Sequence, residues 1–252
     1  MQKKIRSART RFHGVLSEKH IISLDGNGVP SIADFHNRVS RDIATVMISL
    51  MKKTGETASE RLPAQKAGNL FESAIADFLS DTIPSKWMIT HDGSSVLSDF
   101  AQYEHLATLM TLSQKYPDLA ASIGHDYMIR PDITISRMVS NQEKPLLHAS
   151  ISAKLTMRSD RAQNSRTEAL NMIRNRKGHL PHIVVVTAEP LPGRIASIAL
   201  GTGDIDCVYH TALGELQEAV KQSGTEESMK QLDIMIKGKR LKDIEELPVD
   251  LI

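Results

Sequence analysis

The chain has 252 residues, and its 31 Lys and Arg against 30 Asp and Glu leave a formal net charge of +1, so bulk charge alone points to no polyanionic or polycationic partner. With 40% hydrophobic residues it can build a sizeable core, and a domain of this size buries roughly 70–75% of its unfolded surface. One cysteine, Cys207, excludes an intrachain disulfide; the early cations Lys3, Lys4, Arg6, Arg9 and Arg11 precede no long apolar run, and no stretch approaches the ~20 apolar residues of a membrane span. These features predict a cytoplasmic protein built as one α/β domain over residues 1–252, with an N-terminal arm of about 1–37.

In that arm, Asp25-Gly-Asn-Gly28 reads as a turn and Ser31 to Asp34 as a loop or helix entry. Arg38 to Lys53 carries Ile43, Ala44, Met47, Ile48, Leu50 and Met51 at helical spacing and ends at Thr54-Gly55. A second helix follows Pro63-Ala-Gln-Lys-Ala-Gly68, with Leu70, Phe71, Ile75, Phe78 and Leu79 apolar and Glu72 set among them. By spacing alone Glu72 is a surface glutamate. A third helix is expected from about Ser98 to Lys115.

Two strands come next. In Tyr127-Met-Ile-Arg-Pro-Asp-Ile-Thr-Ile135, Ile133 and Ile135 alternate with Asp132 and Thr134; in the following strand, Ser150, Ser152 and Lys154 alternate with Ile151, Ala153 and Leu155. The polar link Ser140 to Lys144 suits a hairpin. A lysine in a strand core is costly unless a counter-charge or an anionic ligand meets it, and Asp132 is the available acid. The pair can be a buried structural ion pair, or a site where a carboxylate holds a divalent ion beside an ammonium group, which suits phosphodiester cleavage.

From Ser152 to Lys177 the chain places seven cations (154, 158, 161, 166, 174, 176, 177) against two acids (160, 168). Together with the N-terminal cluster these basic stretches carry about +10, which leaves about −9 elsewhere and favours an oriented approach to DNA. Arg158-Ser-Asp-Arg161 opens a helix expected from Ala162 to about Gly178. Its two guanidinium forks and one carboxylate are chemically suited to adjacent G·C pairs in the major groove, or to an ordinary solvated helix start.

Beyond that helix, Ile183 to Thr187 is a continuous apolar run that predicts a strand covered on both faces. A short helix near Arg194 to Leu200, a strand at Cys207 to Tyr209 and two helices from about Ala212 to Lys237 complete the chain. Gly201-Thr-Gly203 lacks the Lys-Ser/Thr of a phosphate loop and reads as a turn; Cys207 with His210 reads as ordinary packing.

The run Lys154-Leu-Thr-Met-Arg158-Ser159-Asp160-Arg161, continued by Ala-Gln-Asn-Ser-Arg-Thr-Glu168, closely resembles the signature of the NgoMIV-type type II restriction endonucleases, members of the PD-(D/E)xK nucleases in the branch that recognises a CCGG core. Further matching segments are Ser59 to Pro63, Gly68 to Glu72, Leu146 to Ser152, Leu180 to Pro190, Ile198 to Gly203, Asp206 to His210 and Gly238 to Asp243. The resemblance implies a restriction-endonuclease-like fold, a central mixed β-sheet flanked by α-helices. It implies Mg²⁺ held by Asp132 and the Ala153 carbonyl, with Glu72 and Glu168 in or beside that shell, Lys154 on the attacking water and Ser152 hydrogen-bonded within the site. Ser152 stands in the usual acidic slot, and in this branch the missing carboxylate comes from the following helix, where Glu168 matches.

For readout, the resemblance assigns Arg158, Asp160 and Arg161 to the inner base pairs, Asp34 and Arg194 to the outer G·C pair and Gln65 to the minor groove. The implied substrate is double-stranded DNA at GCCGGC, cut after the first G to leave a 5′ CCGG overhang and 5′ phosphates. The implied assembly is a homotetramer, a dimer of dimers, paired functionally with a cognate DNA methyltransferase. The alternatives are another nuclease of the same fold, a nickase or repair enzyme, and a sequence-specific DNA-binding protein that does not cut.

Overall fold

The computed structural model of the chain describes residues 12, 16, 21–51, 62–123, 128–201 and 203–252. The early cations, the helix end expected at Thr54-Gly55, the Ser59 to Arg61 segment, Tyr127 and Thr202 lie outside the described residues.

Six strands form one mixed sheet in sequence order: β1 (Met88–Thr90), β2 (Ile133–Arg137), β3 (Leu146–Lys154), β4 (His182–Thr187), β5 (Cys207–His210) and β6 (Leu241–Asp243). β1, β2 and β3 pair antiparallel, while β3 through β6 run parallel. The change of sense follows from the connections. β2 returns to β3 through a short polar link in which Asn141 takes φ 66°, a turn conformation that asparagine tolerates. Each later strand is reached through at least one helix, the length of chain a parallel crossover needs.

Among the described residues the helices are α1 (Arg38–Met51), α2 (Ala64–Thr82), α3 (His105–Lys115), α4 (Pro117–Ile123), α5 (Ser159–Asn175), α6 (Pro192–Ala199), α7 (Leu213–Ser223), α8 (Glu226–Lys237) and α9 (Leu247–Asp250). α1 starts where Asn37 Oδ1 accepts the Ser40 N–H at 3.0 Å, and it buries Ile43, Ala44, Met47, Ile48 and Met51 of the stripe its spacing predicts, while Leu50 is only partly buried. Phe12, Leu16, Ile21, Ile22 and Ile32 are buried in the same core as α1, α2 and the sheet. Asp25 to Gly28 is a turn: Asp25 Oδ1 accepts the N–H groups of Asn27 and Val29 at 2.9 and 2.8 Å, and Gly28 takes φ 76°.

Several expectations are corrected. The helix predicted over 98–115 begins only at His105; 97–99 and 101–103 are 3₁₀ turns. Tertiary bonds compete with the helical ladder there. Leu97 N–H goes to Ile129 O and Ala101 N–H to Pro145 O, and the buried Gln102 side chain meets both the N–H and the C=O of Leu147. α2 starts at Ala64, ahead of Gly68, and α5 at Ser159, ahead of Ala162. β1 and β6 have no counterpart in the sequence reading; each has three residues, too few to show a period of two.

Candidate active site

The antiparallel register of β2 and β3 sets Ile133 opposite Ile151, so Asp132, one residue ahead of β2, meets the end of β3. Its Oδ2 accepts the Ala153 N–H at 2.9 Å and Lys154 Nζ at 2.6 Å. The side chains of Lys154 and Asp132 keep 19% and 25% of their surface exposed, enough to open onto solvent while each charge keeps its partner.

They open into a cleft of about 700 Å³ whose wall also includes Glu72, Ala153, Arg158 and Glu168. Glu72 reaches it from α2. Burial pushes its carboxyl pKa up, and the Asp132 charge adds to this while the Asp92 N–H opposes it. Glu168 comes from α5; burial again raises its pKa, Lys154 pulls it down and Asp132 pushes it up. Three carboxylates and an ammonium group therefore meet at one opening, the Glu72 and Glu168 carboxyls each sensing the Asp132 charge. Carboxylate oxygens and the Ala153 carbonyl are the hard donors that suit Mg²⁺-like cations.

The remaining predicted residues divide. Gln65 and the exposed Arg158 both line the cleft. Asp160 is exposed in the first turn of α5, and the Arg161 side chain lies outside the described residues. Ser152 is half-buried on β3, on the strand face it shares with Lys154, and is not part of the cleft wall. Asp34 and Arg194 also stand apart from that wall and are paired with each other, Arg194 Nη2 donating to Asp34 Oδ2. The His36 backbone N–H and, after it, the Arg194 guanidinium hold the Asp34 carboxyl below its ordinary pKa against the effect of burial.

Two features have no place in the sequence reading. His91 and Asp92 adjoin Glu72: the Asp92 N–H donates to Glu72 Oε1 at 2.6 Å, and one donor atom from each of the three side chains lies within 4.8 Å of the others. Asp92 adopts φ 61°, a left-handed conformation that costs a non-glycine residue roughly 1–2 kcal/mol. The Asp92-Gly93 pair was the available signal, a turn dipeptide. The second is Glu189, fully buried just past β4, whose carboxyl pKa burial pushes up to about 7 against the Met157 N–H and the Arg194 charge. Its signal was an acid stranded between an apolar run and Pro190. Cys207 and His210 make ordinary packing contacts: the thiol points to backbone carbonyls, and His210 Nδ1 accepts the Ala212 N–H at 3.0 Å.

A mixed sheet with helices around it, and an Asp–Lys pair where the antiparallel part hands over to the parallel part, define an α/β enzyme with the restriction-endonuclease-like fold. The profile of the NgoMIV restriction enzyme family matches residues 12–140 and 138–252. The type II restriction enzyme NgoMIV of Neisseria gonorrhoeae is 44% identical over 278 aligned positions, covering 96% of each chain. This chain belongs to the NgoMIV restriction enzyme family and is a type II restriction endonuclease, a class that acts on DNA and generally uses a divalent metal.

Proposed function

We propose that this enzyme hydrolyses both strands of duplex DNA at GCCGGC, after the first G, in a reaction that requires Mg²⁺. The observation that carries the reading is the Asp132–Lys154 contact at a cleft shared with Glu72 and Glu168. Asp132 and the Ala153 carbonyl would hold the ion, with Glu72 and Glu168 beside them. Both hydrogen bonds to Asp132 fall on Oδ2, which leaves Oδ1 for the cation. A bound Mg²⁺ supplies Lewis-acid polarisation of the scissile phosphate and a more acidic water.

Lys154 Nζ orients that water and offsets charge growing on the phosphoryl oxygens. Glu168 would fill the role that Ser152 leaves open in the usual acidic position, and the Ser152 hydroxyl would complete the site by hydrogen bonding. Attack in line with the 3′ oxygen expels that oxygen, and the product keeps a 5′ phosphate on a 5′ CCGG overhang.

Arg158, Asp160 and Arg161 would read the inner pairs from the start of α5, where Arg158 lines the cleft. Asp34 and Arg194 would read the outer G·C pair as a unit, since they are already joined. Gln65 would face the minor groove. A palindromic site calls for two-fold symmetry, and the proposed assembly is a homotetramer of two dimers. A methyltransferase that protects the same sequence would accompany it.

The test is digestion of a plasmid of known sequence with and without Mg²⁺, followed by mapping of the ends. Double-strand cuts confined to GCCGGC with four-base 5′ overhangs support the proposal. Nicks, cuts elsewhere or cutting in chelator overturn it.

A further inference from the structure

Glu189 is a charged side chain with no exposed surface and no part in the chemistry proposed above. Its Oε2 accepts the Met157 N–H at 2.7 Å and its Oε1 the Leu191 N–H at 3.1 Å. Arg194 Nη1 lies 3.9 Å from Oε2, while Nη2 of the same guanidinium donates to Asp34. The residue is itself fixed from behind: its own N–H donates to Thr187 Oγ1 at 3.1 Å, and its carbonyl meets His210 Nε2 at 3.2 Å.

One carboxylate therefore ties the turn before α5, 32 residues away in sequence, to the start of α6. Met157 directly precedes Arg158, the extended residue from which α5 starts. Leu191 directly precedes α6, and Arg194 sits in its first turn. A buried acid is expensive, and an apolar side chain of similar volume would often be as stable, so its value here lies in the geometry it specifies.

We propose that Glu189 is the positioning residue of DNA readout: it holds Arg158 and the Asp34–Arg194 pair in one mutual register, so that inner and outer base pairs are read together. This rests on the assignment of those three residues to base contacts. Loss of the carboxylate frees the Met157 N–H and uncouples Arg194 from the turn before α5, and errors then arise at both positions from one substitution that touches no base.

The experiment uses the full chain and short duplexes carrying the cleavage site mapped on plasmid DNA, together with duplexes altered singly at the outer or an inner base pair. Cleavage rates are measured for the wild type, Glu189→Gln, Arg158→Ala and Arg194→Ala. The expected result for Glu189→Gln is a fall of at least about fivefold in cognate preference at both positions, the low end for a misplaced bidentate contact. A purely structural role would lower active protein equally on all duplexes and leave the ratios unchanged, which overturns the proposal.

Arg158→Ala and Arg194→Ala should each relax one position only. If neither does, the base assignments fail and the proposal falls with them; if both do while Glu189→Gln keeps its ratios, this inference alone fails. Should Glu189→Gln not fold, the same ratios are read on Glu189→Asp, which keeps the charge on a shorter stem. A joint fall at both positions supports the proposal, and unchanged ratios refute it.

Discussion

Lys154 Nζ and Asp132 Oδ2 are 2.6 Å apart at the adjoining ends of two antiparallel strands, and the same oxygen takes the Ala153 N–H. In Asp132→Ala, the Ala153 N–H loses its acceptor and Lys154 its hydrogen-bonded partner, a stability cost of roughly 1–3 kcal/mol, offset in part because Glu72 and Glu168 no longer face the Asp132 charge and Glu168 still faces Lys154. Cleavage of supercoiled plasmid should fall to background while specific duplex binding persists. Cutting preserved in Asp132→Ala would remove the proposed mechanism.

Lys154→Ala isolates the ammonium group. Loss of a proton-handling or charge-stabilising side chain costs about 10²–10⁴ in rate. The expected result is a fall of that order in the single-turnover rate, with affinity for the site changed much less. An equal loss of rate and affinity would mark Lys154 as a phosphate contact only.

Gln102 bears on stability rather than on cutting. Its amide accepts the Leu147 N–H at 2.9 Å and donates to the Leu147 carbonyl at 2.6 Å, at the start of β3 where β4 is not yet alongside. Gln102→Leu leaves both backbone groups buried without partners, at roughly 1–3 kcal/mol for each. Urea denaturation should show a lower midpoint with an unchanged slope. A midpoint equal to the wild type would mean that water replaces the amide.

The parts of this molecule that carry a strong local pattern were legible in the sequence. α1 follows from its spaced apolar residues, β4 from Ile183 to Thr187 and the β2–β3 hairpin from the polar link. The Asp132–Lys154 pairing followed from the cost of a lysine in a strand. Glu72 did not: its spacing suggests a surface position, and only the resemblance drew it to the cleft that it lines. What stayed hidden depends on distant chain. Asp34 and Arg194 meet from 160 positions apart, the Gln102 bonds displace a helix into 3₁₀ turns, and Glu189 gains its meaning only from Met157 and Arg194. No local period records such contacts.

Glu189 also gives the protein a pH signature. The groups facing it are Arg194, Asp34 and His210, together with the Met157 and Leu191 N–H donors. Its pKa is raised from 4.5 to about 7, mainly by burial, so the folded state keeps a proton that the unfolded state has released. Below 4.5 both states are protonated and the residue costs nothing. As pH climbs from 4.5 to about 7 the folded state loses stability, and above that the whole cost, roughly 3 kcal/mol, is present. Glu189→Gln cannot titrate. The wild-type unfolding free energy minus that of Glu189→Gln, measured by urea denaturation at closely spaced pH, should therefore fall across this window and level off above it. A difference that stays flat, or rises with pH, would show that Arg194 and the two N–H donors hold the carboxylate ionised throughout.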